Sequence, residues 1–319
     1  MTDPRPAPAA PGGEPRRVAA LSVAVATLDR PDALARCVDA LLAGDVLPAE
    51  VLVIDQSAND ATAVVLSQRP PAPVPVVHVR QARRGLSASR NTGAAHASGP
   101  IVAFTDDDCV PDRGWVAAVE RAFADGSAPD AVTGRVLPLG PEEAGTFSIS
   151  ARSGSGRADY AGRTIPWRVG TGGNFAARRE WLARVGGYDE RLGAGSPGPA
   201  GEDMDLFYRL LKAGARLRYE PDAVVYHERQ TRERRLATRR SYAHGIGAAC
   251  AIWLRGGDAY AAVVIAHWLA HVGKASARAL LARDWGMLRQ RALSVRGTLT
   301  GLAHGWRASR RGGPEHARE

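Results

Sequence analysis

At 319 residues, 45% hydrophobic and 24% charged, the chain has ordinary globular composition. That excludes a disordered or fibrous protein and leaves room for one large α/β domain with an appendage, or for two domains. Three widely spaced cysteines (Cys37, Cys109 and Cys250) exclude a disulfide framework and a CxxC metal site, and point to a reducing compartment. The net charge of +9 is uneven: residues 229–319 hold seventeen Lys/Arg against five Asp/Glu, a net +12, which leaves −3 for the rest. A basic segment of this kind suits an anionic surface, membrane lipid or nucleic acid.

Residues 1–17 are rich in Pro and Ala without periodicity and read as a disordered leader. The following "RRVAALSVAVATL" mimics a signal peptide with its cleavage site, but reads better as a first buried strand over 19–26. Pro31 then sits at a first helical position, with Leu34, Cys37, Val38, Leu41 and Leu42 at helical spacing. "EVLVIDQS" is a second strand, "VPVVHVR" a third, "LSASRNTGAAHAS" a small-residue helix, "PIVAFTDDD" a fourth strand and "RGWVAAVERAFA" a helix. Four strand–helix units in succession predict an α/β fold, a mostly parallel sheet with helices on both faces. Residues 140–168 read as a loop-rich excursion. "TGGNFAARREWLARVGGYDE" holds a short strand and a helix, "GPAGEDMDLFYRLLKAGARL" a helix and "AVVYHE" a late strand. From 229 to about 310 the pattern is helical. No run reaches the ~18 apolar residues of a membrane-spanning helix.

In such sheets ligands bind beyond the carboxyl ends of the strands, where the notable polar residues fall. Asp106, Asp107 and Asp108 end the fourth strand. Adjacent carboxylates there repel unless a cation sits between them. Mg²⁺ or Mn²⁺ suits them, held by one or two carboxylates with phosphate oxygens filling the sphere, so the triplet reads as a clamp for a metal–diphosphate rather than a solvated turn. Asp55 ends the second strand, where it either accepts a hydrogen bond from a base or ribose, or closes an Asx-turn. Arg83, Arg84, Arg90 and Asn91 flank a helix start, as a phosphate site or as a solvated charge cluster. Glu202 and Asp203 open a helix, as a general base or as acids complementing the helix dipole; the glycine-rich "GAGSPGPAG" before them reads as a flexible lid. His227 closes the late strand, as a third metal ligand or as a structural histidine.

Six of these stretches, in order, resemble the family 2 glycosyltransferases with a GT-A fold: "SVAVATLDRPDALARCVDALLA", "EVLVIDQSAND", "RGLSASRNTGAAHASGPIVAFTDDDCVPDRGWV", "GGNFAARREWLARVGGYDE", "GEDMDLFYRLLKAG" and "AVVYHE". The resemblance covers about residues 21–228. It implies a Rossmann-like GT-A catalytic domain over 18–228, followed by a basic helical extension over 229–319. It further implies an inverting transferase that moves a sugar from a nucleoside-diphosphate donor to an acceptor hydroxyl, in surface polysaccharide, glycolipid or glycoconjugate synthesis, with Mg²⁺ or Mn²⁺ as cofactor. By resemblance, Thr27, Asp29 and Asp55 match nucleoside-binding positions, and Arg84, Arg90 and Asn91 line the nucleotide. Asp106 and Asp108 match the DxD acids, with Asp108 the direct metal ligand; His227 matches a histidine that ligates the metal in some members, so Asp106, Asp108 and His227 form the metal set, and Asp106 and Asp107 lie on the nucleotide-sugar side. Gly173 and Asn174 match an acceptor-side loop, and Asp203, with Glu202 beside it, the catalytic base. The first motif departs from the family: it reads "ATLDR" where Pro-x-Tyr-Asn-Arg is usual.

The C-terminal third holds the most apolar stretch, "YAAVVIAHWLAHVG", with Trp253, Trp268, Trp285 and Trp306 among arginines. It reads either as helices lying in a membrane interface, which suits a lipid-linked acceptor, or as a packed appendage with a solvated basic face. The location expected is cytoplasmic, peripheral on the inner face of the membrane in the first case. Competing readings are a nucleotidyltransferase, which needs a Gly-rich loop and Lys after the first strand, and a catalytically degenerate nucleotide-binding or nucleic-acid-binding protein. The loop is absent and no nucleic-acid module is visible, so no nucleic-acid partner is expected.

Overall fold

The computed structural model describes residues 16–148 and 150–308. Most of the expected leader lies outside the described residues. The chain divides into two compact units. The first comprises Met1–Arg84, Ala88–Tyr188 and Leu206–Gln230, and the second Gly85–Ser87, Asp189–Asp205 and Thr231–Glu319.

The first unit is built on strands β1 (Leu21–Thr27), β2 (Glu50–Asp55), β3 (Val76–Arg80), β4 (Ile101–Asp106), β5 (Cys109–Pro111), β6 (Ala131–Pro138), β7 (Thr146–Phe147), β8 (Ala158–Tyr160), β9 (Asn174–Arg178) and β10 (Leu217–His227). The main sheet has the order β3-β2-β1-β4-β9-β6-β10-β5, with β8 on β10. The half that the sequence predicted, β3-β2-β1-β4, is parallel throughout. Strand β9 then enters antiparallel between β4 and β6, and β10 returns parallel to β6. The fold is thus the expected α/β architecture, with a mixed sheet.

Both faces of the sheet are covered, which explains the continuous apolar runs of β1 and β2. Val23, Val25, Val51 and Val53 face one core, shared with Leu34, Cys37, Val38 and Leu41 of α1 (Pro31–Leu42). Trp115, Val119 and Phe123 of α4 (Trp115–Ala124) fill the same side. The alternate residues Ala24, Leu52 and Ile54 face the other core with Leu206, Phe207, Leu210 and Leu211 of α6 (Glu202–Lys212). Helix α2 (Ala61–Ser67) follows β2, and α5 (Arg179–Arg184) follows β9. Helix α3 (Leu86–His96) lies close to the sheet at Gly93, where a methyl group would come 2.7 Å from the Ala24 Cβ; its small residues serve that approach.

Several expectations are corrected. The first strand runs from Leu21 to Thr27 rather than over 19–26, and the late strand starts six residues earlier than "AVVYHE", at Leu217, and ends at His227. The sequence reading did not foresee β5, β6 or β8, whose partners lie far away in the chain. The 140–168 excursion carries β7, β8 and one 3-10 turn (Pro166–Arg168).

The second unit contains helices α7 (Arg232–Arg255), α8 (Tyr260–Leu281) and α9 (Trp285–Ala308), preceded by the short β11 (Gln230–Thr231). Helices α7 and α9 run in the same direction and nearly touch. Methyl groups built on Gly297, Gly301 and Gly305 would lie 2.7, 2.0 and 2.2 Å from the carbonyl oxygens of Arg240, His244 and Ala248. Both sets advance by four residues, so a glycine ridge of one helix lies along the backbone of the other. The Trp268 indole N–H donates to Thr298 Oγ1 at 2.8 Å and ties α8 to α9. The Trp253 indole donates to buried Asp205 at 2.8 Å, fixing α7 to the segment that begins α6. No helix among the described residues is long and apolar enough to cross a membrane.

Candidate active site

The site of the first unit lies where strand order reverses, beyond the carboxyl ends of β1 and β4. The register sets Thr27 beside Asp55 and Ala26 beside Asp106, so three of the singled-out positions share one sheet edge. The acidic triplet follows directly, and β5 then turns back to pair with β10, bringing Cys109 opposite His227.

Part of the repulsion within the triplet is offset by the protein's own cations. Arg30 Nη1 donates to Asp107 Oδ1 at 3.1 Å and to Asp108 Oδ2 at 2.8 Å. Arg90, almost fully buried, donates to Asp106 Oδ1 at 2.9 Å and lies over the Tyr188 ring. The Thr27 hydroxyl donates to Asp107 Oδ2 at 2.8 Å. Burial pushes the Asp107 carboxyl up to about 6; Arg30 opposes this, Asp108 and Asp106 add to it, and Thr27 pulls it down.

One face of the triplet remains arranged for a cation. One donor atom each from Asp106, Asp108, Cys109 and His227 lie within 4.8 Å of one another. The His227 Nδ1 lies 2.7 Å from the Glu228 carbonyl oxygen, which can only accept, so Nδ1 carries the proton. In the neutral ring Nε2 is therefore bare, and it faces Asp108 Oδ1 at 3.5 Å. Two acceptors aimed at each other need a shared proton or cation, and a histidine whose other nitrogen donates to a backbone carbonyl is oriented as metal ligands are. Two carboxylates and an imidazole suit a hard or borderline divalent ion. Burial, with Asp106 and Asp108 adding, pushes the Cys109 thiol well above its usual range and keeps it protonated. Gly173 closes the cluster, because a methyl group there would come 2.6 Å from Asp106 Oδ2.

Around this cluster the nucleoside-side residues are knitted together. Asp29 has φ 54°, a left-handed conformation that short polar side chains tolerate, and its N–H donates to Ser57 Oγ at 2.8 Å. Buried Asp55 accepts the Ser57 N–H at 2.8 Å and bonds His78 Nε2 at 3.0 Å. The Asx-turn considered from sequence is therefore present, with a histidine partner that the sequence did not reveal. Burial works to raise the Asp55 carboxyl, but the bonds from Ser57 and His78 outweigh it and hold the group below its ordinary value. The Gln56 carbonyl accepts the Arg84 N–H at 3.0 Å while its amide donates to Ser89 at 2.8 Å. Arg84 itself is exposed.

Two expected ligand-side residues are engaged within the fold instead. The Asn91 amide clamps the Tyr188 backbone, accepting its N–H at 2.7 Å and donating to its carbonyl at 3.0 Å. Gly187, with φ 69°, leaves no room for a side chain against that amide. The Asn174 amide donates to the carbonyls of Arg135 and Ala223, both at 2.8 Å, and accepts from the Trp115 indole at 2.9 Å. Arg30, His78 and Trp115 were missed by sequence reasoning, whereas Gln56 stood beside Asp55 among the polar residues at the strand ends. Only Arg30 had a signal, three residues after Thr27 in the same turn.

Glu202 and Asp203 belong to the second unit, in the first turn of α6, which continues into the first unit from Leu206. Glu202 is buried and Asp203 half-buried. The segment before them is hydrogen-bonded within itself: Gly193 N–H donates to the Gly198 carbonyl at 2.8 Å, and Gly198 N–H to the Arg191 carbonyl at 3.0 Å.

Comparison with known proteins places this geometry in context. The family model described as "Glycosyl transferase family 2" matches residues 22–186, just over half the chain, and "Glycosyltransferase like family 2" matches 167–258. The pre-mycofactocin glycosyltransferase of Mycobacterium tuberculosis is 33% identical over 175 residues, 53% of this chain and 35% of that protein; the alignment thus spans about a third of that relative's length. The glucosyl-dolichyl phosphate glucuronosyltransferase of Haloferax volcanii is 25% identical over 220 residues, 65% of this chain and 69% of that protein. Among solved structures, the mannosyltransferase PcManGT from Pyrobaculum calidifontis, in complex with GDP-Man and Mn²⁺, aligns with TM-score 0.59 at 20% identity, over 94% of this chain and 91% of its own. That likeness establishes the shared fold.

Proposed function

This chain belongs to glycosyl transferase family 2, and on that premise we propose that it is an inverting glycosyltransferase that moves a hexosyl or related sugar from a nucleoside-diphosphate donor to an acceptor hydroxyl. The observation that carries the reading is the His227–Asp108–Asp106 cluster, whose bare imidazole nitrogen faces a carboxylate at the end of β4. These residues would hold a divalent cation, Mg²⁺ or Mn²⁺, and when bound it supplies Lewis-acid neutralisation of the departing diphosphate. The relative solved with GDP-Man and Mn²⁺ supports this assignment.

The chain's own residues have the following roles. Thr27, Asp29 and Asp55 hold the nucleoside, with Asp55 already charged through its bonds to Ser57 and His78. Arg84 and Arg90 bring positive charge to the nucleotide side. Asn91 and Asn174 act one step back: Asn91 fixes the Gly187–Tyr188 turn on which Arg90 rests, and Asn174 fixes the loop that carries Gly173. Asp203 takes the proton of the acceptor hydroxyl as that oxygen bonds to the anomeric carbon; the bond from that carbon to the diphosphate oxygen breaks on the opposite face, and configuration inverts. Its half-buried position, against the buried Glu202 beside it, favours Asp203 as the base.

The acceptor is a sugar or a lipid-linked sugar, in surface polysaccharide, glycolipid or glycoconjugate synthesis; the relative that acts on a glucosyl-dolichyl phosphate supports a lipid-linked one. With it goes a cytoplasmic location at the inner membrane face, with residues 229–319 on the anionic surface. The test is thermal stabilisation by UDP, GDP, dTDP, CDP and ADP, with and without Mn²⁺. A metal-dependent rise with one nucleotide supports the reading, because a ligand bound only to the native state raises the melting temperature. No rise with any of them would overturn it in favour of a degenerate chain.

A further inference from the structure

We propose that α8 and the turn into α9 form the membrane-docking element, lying in the surface of an anionic phospholipid bilayer with Leu281 and Trp285 as its anchors. This deepens the membrane part of the reading above by assigning it to one helix face.

The exposed apolar side chains are not scattered. Of twelve large hydrophobic residues that are exposed among the described residues, nine belong to α7, α8, α9 and the turn between the last two. The four tryptophans separate on folding: Trp253 is buried and Trp268 bonded inward, Trp306 lies under the Arg255 guanidinium, and Trp285 is 62% exposed.

Helix α8 sorts its residues around its circumference. Ala261, Val264, Val272 and Ala279 are buried on one side. At 3.6 residues per turn the exposed remainder spans an arc of about 200°, of which the larger part is apolar. Val263, Ala266, Leu269, Ala270, Ala277 and Leu280 lie on that part, and all are exposed. His267, His271, Lys274 and Arg278 form a polar stripe along one flank, also exposed. The helix ends in Leu281, 86% exposed, four residues before Trp285. Lys274 and Arg278 precede this apolar tip on that flank, and Arg283 and Arg289 lie close to it in sequence, all exposed.

This is the arrangement of an interfacial helix: an apolar face for the acyl boundary, a cationic flank for headgroups and an aromatic side chain at the rim. Charge selects the occupant. From 260 to 308 there are seven Lys/Arg and one acid, Asp284, which complements anionic lipid. A spanning role is ruled out for α8, because no described helix is long and apolar enough. Beyond its first turn, α9 packs its small-residue face against α7.

The test is co-sedimentation of the full chain, without donor or metal, with phosphatidylcholine vesicles containing about a third phosphatidylglycerol, a surface that draws in basic segments. Binding is expected to the anionic vesicles, weakened by high salt, and absent from pure phosphatidylcholine. The double variant Leu281→Glu/Trp285→Glu should lose binding at least ten-fold. Lys274→Gln/Arg278→Gln should lose about 25-fold, at about five-fold for each cation near an anionic surface. Both variants should keep the wild-type melting temperature and nucleotide-dependent stabilisation, which separates failure of this proposal from failure of the glycosyl-transfer reading. No binding to anionic vesicles, or binding that neither variant reduces, overturns it. So does binding to duplex DNA without binding to vesicles, or a dimer that Leu281→Glu/Trp285→Glu dissolves in place of vesicle binding.

Discussion

Asp107→Asn isolates the electrostatics of the triplet. In the folded chain Asp107 titrates at about 6, against an ordinary value of 3.8, chiefly because it is buried. A carboxyl raised on folding contributes stability that is fully present below its unfolded value and is lost as pH rises through its folded value. Here the window is about pH 4 to 6. The shift of about two units corresponds to about 3 kcal/mol, or about 5 °C in melting temperature for a chain of this size. Asparagine occupies the same space without titrating. The difference in melting temperature, variant minus wild type, measured in EDTA from pH 4 to 7, should therefore grow by about 5 °C in the variant's favour. Mn²⁺ bound beside Asp107 favours its charged form, so the same difference should shrink when Mn²⁺ replaces EDTA. A flat difference across this range in EDTA would refute the burial argument, and a difference insensitive to Mn²⁺ would refute the cation's place in the cluster.

Other perturbations test separate parts. Asp203→Asn should abolish transfer, by more than 10²-fold, while leaving nucleoside-diphosphate binding intact in calorimetry; near-wild-type turnover would remove Asp203 as the base. Gly173→Ala should weaken Mn²⁺ binding about 10–100-fold without replacing a ligand, because the added methyl displaces the Asp106 carboxylate; unchanged affinity by calorimetry would show that Asp106 is dispensable. Asn91→Ala, which frees both backbone groups of Tyr188, should cost about 1–3 kcal/mol in denaturant unfolding. Gly301→Val should separate α7 from α9 and cost about 3 kcal/mol or more, since even a methyl would meet the His244 carbonyl at 2.0 Å; a stable variant would contradict the glycine ridge.

What the sequence made legible was local and periodic. The parallel half of the sheet could be read because each strand is a continuous apolar run followed by a helix, and a buried run that ends in Asp55 or Asp106 marks a carboxyl edge. Pairings set by distant register were not legible. Strand β6 follows helix α4, but its partners β9 and β10 lie far along the chain, and β9 inserts antiparallel between β4 and β6, which no local pattern specifies. The same limit applies in the site. The aspartates and His227 were visible as residue types at strand ends, but the Cys109–His227 pairing and the His227 tautomer depend on β10 returning beside β5. Asn91 and Asn174 were read as ligand-side because an amide can serve either use; their backbone partners lie 97 and 49 residues away. Arg30 could have been found from "ATLDR", where an arginine follows the first strand end by three positions.

The account's central claim is that a nucleoside diphosphate binds through a cation held by Asp106, Asp108 and His227. The most direct measurement is calorimetric titration of the stabilising nucleoside diphosphate into wild type and His227→Ala, each in Mn²⁺ and in EDTA. The account predicts binding by wild type in Mn²⁺ that weakens at least ten-fold in EDTA, and His227→Ala should lose most of that difference. Equal affinities in Mn²⁺ and EDTA for wild type would contradict it.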